Sequence, residues 1–253
     1  MATIRAVFLD VGWTLAYPRT SMWRIFADLC AESGIATTPA QCEQLVRSLS
    51  RATHPYAEQQ FRGGTQYADS DAEFAGMFAQ MGQVVFAQMG VGGGYDALMQ
   101  RFLRCFWNES NWSVFPDVIE VLEALRGRQV RLGVLSNAPS NLPSFLDRLG
   151  VAPLLDFSVV SALAGVKKPD RRIFEMALSR AGVVPAEALH VGDMYLEDVL
   201  GARAVGINTL LIERGGHSLF PSYRESEGRG LDPDAVINDL RAVLARVEGS
   251  TVP

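Results

Sequence analysis

The chain has 253 residues, of which 48% are hydrophobic and 20% charged, and its formal net charge is -5. That apolar fraction supports a substantial buried core and excludes bulk disorder. The mild acidity argues against a nucleic-acid partner held by phosphate neutralisation, although a local cationic site can still serve an anionic substrate.

The N-terminal apolar run is too short for a signal peptide, and no stretch reaches membrane-spanning length without charges, so a cytoplasmic protein with no membrane association is expected. Cys30, Cys42 and Cys105 lack the spacings of zinc or redox sites and are expected as buried thiols in a reducing compartment. Ala6-Val7-Phe8-Leu9 is an apolar run that stops at Asp10, the pattern of a strand buried on both faces. From Met22 to Asn108 the apolar spacing is helical: Trp23, Phe26 and Leu29, then Phe74, Met77, Phe78 and Met81, then Leu98, Phe102 and Phe106. Gly90 to Gly94 marks a turn between two of these helices.

Beyond Pro116 helix and strand alternate. Val118, Val121, Leu122 and Leu125 line a helix, and Val130 to Leu135 reads as a strand ending at Ser136. A helix around Ser144 to Leu149 stops at Gly150, and Phe157 to Val160 is a strand. A helix from Asp170 to Ala181 is capped by Gly182, and the strand Ala188 to Val191 runs into Gly192-Asp193. A last helix reaches Gly206 before the strand Thr209 to Ile212. Such alternation implies an α/β fold, a doubly wound parallel sheet. The expected division is a core of residues 1–17 and 112–253 with a helical insertion at 18–111.

In such sheets ligands sit beyond the carboxyl ends of the strands. Asp10, Ser136-Asn137 and Asp193 each follow an apolar strand, and Lys168 lies in the loop after Val160. Carboxylates, a hydroxyl and an ammonium therefore meet at one edge, as phosphoryl transfer needs. Taken singly, Asp10 could equally be a turn or helix-cap residue, and Ser136-Asn137 is common loop chemistry.

Together these segments resemble the haloacid dehalogenase-like superfamily over residues 4–213. Asp10-Val11-Gly12-Trp13-Thr14-Leu15 is similar to its first motif, Leu135-Ser136-Asn137 to its second, Lys168-Pro169-Asp170 to its third, and Gly192-Asp193 with Asp198 to its fourth. The insertion falls where that family carries a helical cap. The resemblance implies that Asp10 is the covalent nucleophile and a Mg2+ ligand. It implies that the Gly12 carbonyl and Asp193 bind the same ion, and that Asp198 belongs to the metal group or orients Lys168. Ser136 and the Asn137 amide would hold a transferring oxygen, and Lys168 would neutralise charge on nucleophile and substrate. Trp13 and Thr14 would line the substrate side, with Thr14 hydrogen-bonded inside the motif loop. The implied partner is a small phosphorylated metabolite.

One position departs from the pattern. The family's phosphatases carry a second aspartate where this chain has Gly12, and glycine transfers no proton. Three readings follow: a phosphatase with a borrowed proton, a dehalogenase-type hydrolase, or a phosphate-binding protein without catalysis. Dehalogenases usually place tyrosine there and dispense with metal, which Asp193 and Asp198 speak against. Gly12 could take a positive φ that aspartate tolerates poorly, and Trp13 could fill the space of a carboxylate. Tyr17, Arg19, Trp23, Arg51, His54, Arg62 and Tyr67 are candidates for substrate specificity. His54, His190 and His217 show no metal spacing, and His190, inside a strand, is expected to serve packing. The stretches 214–216 and Ser222 to Arg229 read as loop.

Overall fold

In the computed structural model of the protein the described residues are 2–64, 66, 67, 69–215 and 235–248, with the side chains of 49–58 excepted. Strand β1 (Ala6–Leu9) is wholly buried because it has a hydrogen-bonded strand on each side and helices over both faces. β2 (Ala16–Pro18) follows, and then the helices α1 (Met22–Glu32), α2 (Pro39–Arg62), α3 (Asp71–Gln88) and α4 (Asp96–Phe106). β3 (Trp112–Val114) returns antiparallel to β2, so the two connections into and out of the helical insertion form one ribbon. Alternation resumes with α5 (Val118–Gly127), β4 (Arg131–Ser136), α6 (Leu142–Arg148), β5 (Phe157–Val160), α7 (Ser161–Ala164) and α8 (Arg171–Ala181). β6 (Ala188–Gly192) leads into a π-helical turn at Tyr195–Leu200 and the short α9 (Gly201–Arg203), and β7 (Asn208–Ile212), β8 (Val236–Ile237) and α10 (Arg241–Glu248) are the last elements among the described residues.

The sheet is parallel throughout, in the order β5-β4-β1-β6-β7-β8. The sequence expectation of a doubly wound α/β sheet agrees with this. Strand residues divide by parity. Val7, Leu9, Val134 and Val191 join the core cluster that includes α5, α6 and α10, whereas Phe8 and Ala188 join the cluster of Ile173, Phe174 and Ala177 on α8.

Within the insertion the expected helical faces hold in most places. Phe26, Leu29, Phe74, Phe78, Leu98, Phe102 and Phe106 are buried. Met77 is not, being 47% exposed, because it lies a quarter turn from the Phe74–Phe78 face. Gly182 caps α8 in the left-handed region at φ 67°. Cys30 and Cys42 are buried as expected, but Cys105 is exposed: on α4 it lies between the buried Phe102 and Phe106 and faces outward.

Candidate active site

Strand register assembles the site. Leu9 of β1 pairs with Val134 of β4 and Val191 of β6, so Asp10 lies within one residue of the level of Ser136 and Asp193. Since β4 and β6 flank β1 on opposite sides, the chain leaves β1 in both directions around this point. That is where doubly wound sheets open a crevice.

Lys168 joins them from the loop after α7. Its Nζ donates to Asp10 Oδ1 at 2.8 Å, to Asp198 Oδ1 at 2.6 Å and to the Leu135 carbonyl at 3.0 Å. Lys168 is 3% exposed. Burial alone would lower its pKa, but the charges of Asp10 and Asp198 and their hydrogen bonds outweigh burial and raise it. It stays a cation throughout the physiological range.

The side chain of Asn137 does not face a substrate oxygen. Its Oδ1 accepts from the Lys168 backbone N–H at 2.8 Å and its Nδ2 donates to the Lys168 carbonyl at 3.0 Å. Both polar atoms thus fix the backbone that carries Lys168. Only the backbone N–H of Asn137 remains available for the oxygen-binding role expected of it.

Burial raises the pKa of the Asp10 carboxyl; Lys168 works against that rise, Asp198 adds to it, and Lys168 and the Ser136 hydroxyl stabilise the anion by hydrogen bonds. Asp193 is pushed up further, first by burial and then by the charges of Asp10 and Asp198. Asp198 moves the other way. Burial opposes its charge, but Lys168 and a His190 hydrogen bond prevail and hold it below the usual carboxylate range.

Carboxylate oxygens of Asp10, Asp193 and Asp198 lie within 4.8 Å of one another, and Asp193 Oδ2 is buried with no hydrogen-bond partner among the described residues. A hard divalent cation fits such an all-oxygen, electron-rich set. The oxygens of Asp198 already have donors. Oδ1 receives Lys168 and His190, and Oδ2 accepts the Met194 N–H at 2.9 Å. Its position follows from Gly192, where a Cβ would collide with the Asp198 carboxylate. The wide π-helical turn brings the side chain back over β6.

Three expectations for the first motif are corrected. Gly12 does not take a positive φ, and a Cβ there meets nothing within 4 Å; Trp13 takes the left-handed conformation instead, at φ 52°. Trp13 leaves the space at Gly12 open because its ring leans away onto Phe106 at 6.2 Å and Trp112 at 5.9 Å. Thr14 makes no side-chain hydrogen bond within the loop: its Oγ1 is buried without a partner among the described residues. The turn is closed by backbone bonds, Trp13 N–H to the Ala16 carbonyl at 2.7 Å and Leu15 N–H to the Val11 carbonyl at 2.9 Å.

The specificity candidates mostly lie elsewhere. Arg19 bonds Ser113 at 2.7 Å, Tyr17 packs on Phe115, Trp23 packs in the insertion core and Arg62 is exposed. Tyr67 does reach the motif loops, through its N–H to Asp170 Oδ2 at 3.2 Å and its carbonyl to the Lys167 N–H at 3.0 Å. The side chains of Arg51 and His54, and residues 216, 217 and 222–229, lie outside the described residues.

Packing does not account for His190. Its Nε2 is 2.9 Å from Asp198 Oδ1, and the ring is fully buried. The signal was its parity: His190 and Gly192 share one face of β6, the face on which Asp198 lands. Arg214, read as loop, is also tied to the first motif, donating to the Thr14 carbonyl at 2.8 Å. Nothing in the local sequence marks that contact.

Residues 4–206 match the family described as haloacid dehalogenase-like hydrolase. The chain is 31% identical over 229 residues to the Homo sapiens haloacid dehalogenase-like hydrolase domain-containing protein 3, covering 88% of this chain and 87% of that one. To a phosphoserine phosphatase of Thermus thermophilus it is 28% identical over 254 residues, 95% of this chain and 98% of the other. Among solved structures, a predicted phosphoglycolate phosphatase from Haemophilus somnus shares the fold, with a TM-score of 0.68 at 15% identity over 97% and 99% of the two chains.

Proposed function

The chain belongs to the haloacid dehalogenase-like hydrolase family, and from that premise we propose that it is a Mg2+-dependent phosphatase of a small phosphorylated metabolite, with Asp10 as covalent nucleophile. The observation that carries this reading is the Lys168 ammonium, 2.8 Å from Asp10 Oδ1 and backed by Asp198. It gives the Asp10 carboxylate a fixed counter-ion at the end of β1.

In the proposed reaction an Asp10 oxygen attacks phosphorus and the bond to the substrate oxygen breaks, leaving an aspartyl-phosphate. Water then cleaves that acyl phosphate, releasing phosphate and restoring the carboxylate. Asp10, the Gly12 carbonyl and Asp193 would hold Mg2+, which supplies charge neutralisation for the phosphoryl oxygens. Ser136 and the Asn137 N–H hold a phosphoryl oxygen, while Lys168 balances charge on both partners. The leaving oxygen takes its proton from water, the substrate or the cap, since Gly12 has none to give.

Residues 18–111 are proposed as a cap over a core of 1–17 and 112–253, swinging on the β2–β3 ribbon. Tyr67 is then a cap residue bonded directly to the third motif. A cytoplasmic location is part of the same proposal; among the described residues no helix is long and apolar enough to cross a membrane.

The test is a panel of phosphorylated metabolites and aryl phosphates, assayed with and without Mg2+ on wild type and Asp10→Asn. The reading expects metal-dependent phosphate release that the variant lacks. Metal-independent turnover would point to the dehalogenase branch, and no turnover at all to a phosphate-binding protein, which Gly12 would suit.

A further inference from the structure

We propose that His190 is a positioning residue, whose Nε2–H on Asp198 Oδ1 keeps that carboxylate from drawing Lys168 away from Asp10. The inference rests on the phosphoryl-transfer reading of Asp10 and extends it to a side chain in the interior of β6.

Lys168 has three N–H bonds, and all are engaged: Asp10 Oδ1 at 2.8 Å, Asp198 Oδ1 at 2.6 Å and the Leu135 carbonyl at 3.0 Å. Two anions compete for one cation, and the shorter contact goes to Asp198. An ammonium bound wholly by Asp198 would leave the nucleophile without its lysine hydrogen bond, and the incoming phosphoryl group without the charge that Lys168 adds. His190 offsets that competition. The carboxylate facing Lys168 is an acceptor only, so the imidazole is the donor at Nε2, 2.9 Å from the same Oδ1. With the Met194 N–H on Oδ2, Asp198 receives three donors, and the lysine supplies only one of them.

Three features hold the imidazole for this purpose. His190 is fully buried, shares a strand face with Gly192, and meets the Phe174 ring edge-on at 5.6 Å and 83°. The missing Cβ at Gly192 is what lets Asp198 come within its reach. Its Nδ1 has no partner among the described residues. Leucine or phenylalanine would fill the same space without leaving a buried polar atom unpaired, so packing alone does not account for an imidazole there.

Full-length wild type, His190→Leu, His190→Gln and His190→Asn are compared with an aryl phosphate and Mg2+. Thermal unfolding of each confirms that it is folded. Loss of the donor should lower kcat about tenfold with little change in KM. Glutamine, whose amide N–H matches the reach of Nε2, should recover most of the rate. Asparagine, polar but too short, should behave like leucine and keeps the comparison available if leucine does not fold. In an Asp198→Asn background the His190 substitutions should have no further effect, because a residue acting through another is non-additive with it. Beryllium trifluoride, which mimics an aspartyl-phosphate, gives a readout without turnover: its affinity by 19F NMR should follow the same order.

Equal impairment of Gln and Leu, wild-type kcat in Leu, or full additivity with Asp198→Asn would each overturn the role of His190 while leaving the phosphatase reading intact. A wild type that neither turns over phosphate esters nor binds beryllium trifluoride would instead overturn that reading, and this inference with it.

Discussion

Arg214 and Asp117 form a buried ion pair, Nη1 to Oδ2 at 2.7 Å, with 5% and 2% of the two side chains exposed. The same guanidinium donates to the Thr14 carbonyl at 2.8 Å and lies 4.1 Å from the centre of the Phe115 ring. Phe115 in turn packs on Tyr17, and Asp117 accepts the Leu240 N–H at 2.6 Å. One cation therefore ties the turn after the nucleophile to the ribbon leading into the insertion and to the start of α10. Arg214→Leu would strand a buried carboxylate, and such losses cost about 3–5 kcal/mol. Urea unfolding should show it, and the double change Arg214→Leu with Asp117→Leu should recover part of the loss. A single variant of unchanged stability would make the pair incidental.

Acid should release a second contact between insertion and core. Asp170 accepts from Arg172 and from the Tyr67 N–H. The Arg172 hydrogen bond, against burial and with help from backbone donors, holds its carboxyl down at about 2. A depressed carboxylate contributes stability that is present above its unfolded pKa near 4 and is lost as pH falls through about 2. Asp170→Ala, which also removes the α8 N-cap, should cost about 1 kcal/mol at pH 7 and progressively less towards pH 2. A difference constant across that range would contradict the assignment.

Trp13 holds φ at 52°, a conformation that costs a non-glycine residue about 1–2 kcal/mol. Its rings against Phe106 and Trp112 offset that strain. Trp13→Ala loses the rings and keeps the strain, whereas Trp13→Gly loses the rings and relieves it. Glycine should therefore be the more stable of the two by about 1 kcal/mol, the reverse of their order in a helix or strand. Thermal unfolding of both decides it.

Gly12→Asp should place a proton carrier beside the leaving oxygen. A Cβ at Gly12 meets nothing within 4 Å and its φ is ordinary, so the backbone accepts a side chain there. Phosphate release from an alkyl ester should rise by up to about 100-fold, and less from an aryl ester, whose leaving group needs little protonation. A folded, metal-binding variant with no gain on either ester would favour the non-catalytic reading.

Asp193→Asn should separate charge crowding from metal binding. Burial and the charges of Asp10 and Asp198 raise the Asp193 carboxyl. A raised carboxylate contributes its stability below the unfolded pKa and loses it as pH rises through the folded one. The metal-free wild type should thus weaken as pH climbs above the usual carboxylate range, and the Asn variant should lose that slope. Added Mg2+ should stabilise wild type by about 2.7 kcal/mol at 100 times its dissociation constant and leave the variant nearly unmoved. Equal stabilisation of both proteins would remove Asp193 from the metal site.

Much of this arrangement was legible from residues 6–10, 131–137, 157–160 and 188–193. Strands buried on both faces carry apolar runs, and a polar residue that ends such a run can only lie at the sheet edge. Asp10, Ser136 and Asp193 were found that way, and Lys168 by its place after the β5 segment. The helical period likewise marked the insertion, because buried faces recur every three or four residues whatever they pack against.

What the sequence by itself determined is the five strands β1, β4, β5, β6 and β7, their order along the chain and the chemistry at their ends, since those depend on local periodicity, whereas the short β2, β3 and β8 carry too few residues to show one. Tertiary structure decided which side-chain atoms meet. That Asn137 holds the Lys168 backbone, that Trp13 rather than Gly12 carries the positive φ, and that His190 and Lys168 share one oxygen of Asp198 all depend on register between strands distant in sequence. Arg214 is the clearest case. It lies 200 residues from Thr14, and only the position of β7 in the sheet brings the two together, because hydrogen-bond partners are set by distances of a few ångströms that no local pattern encodes.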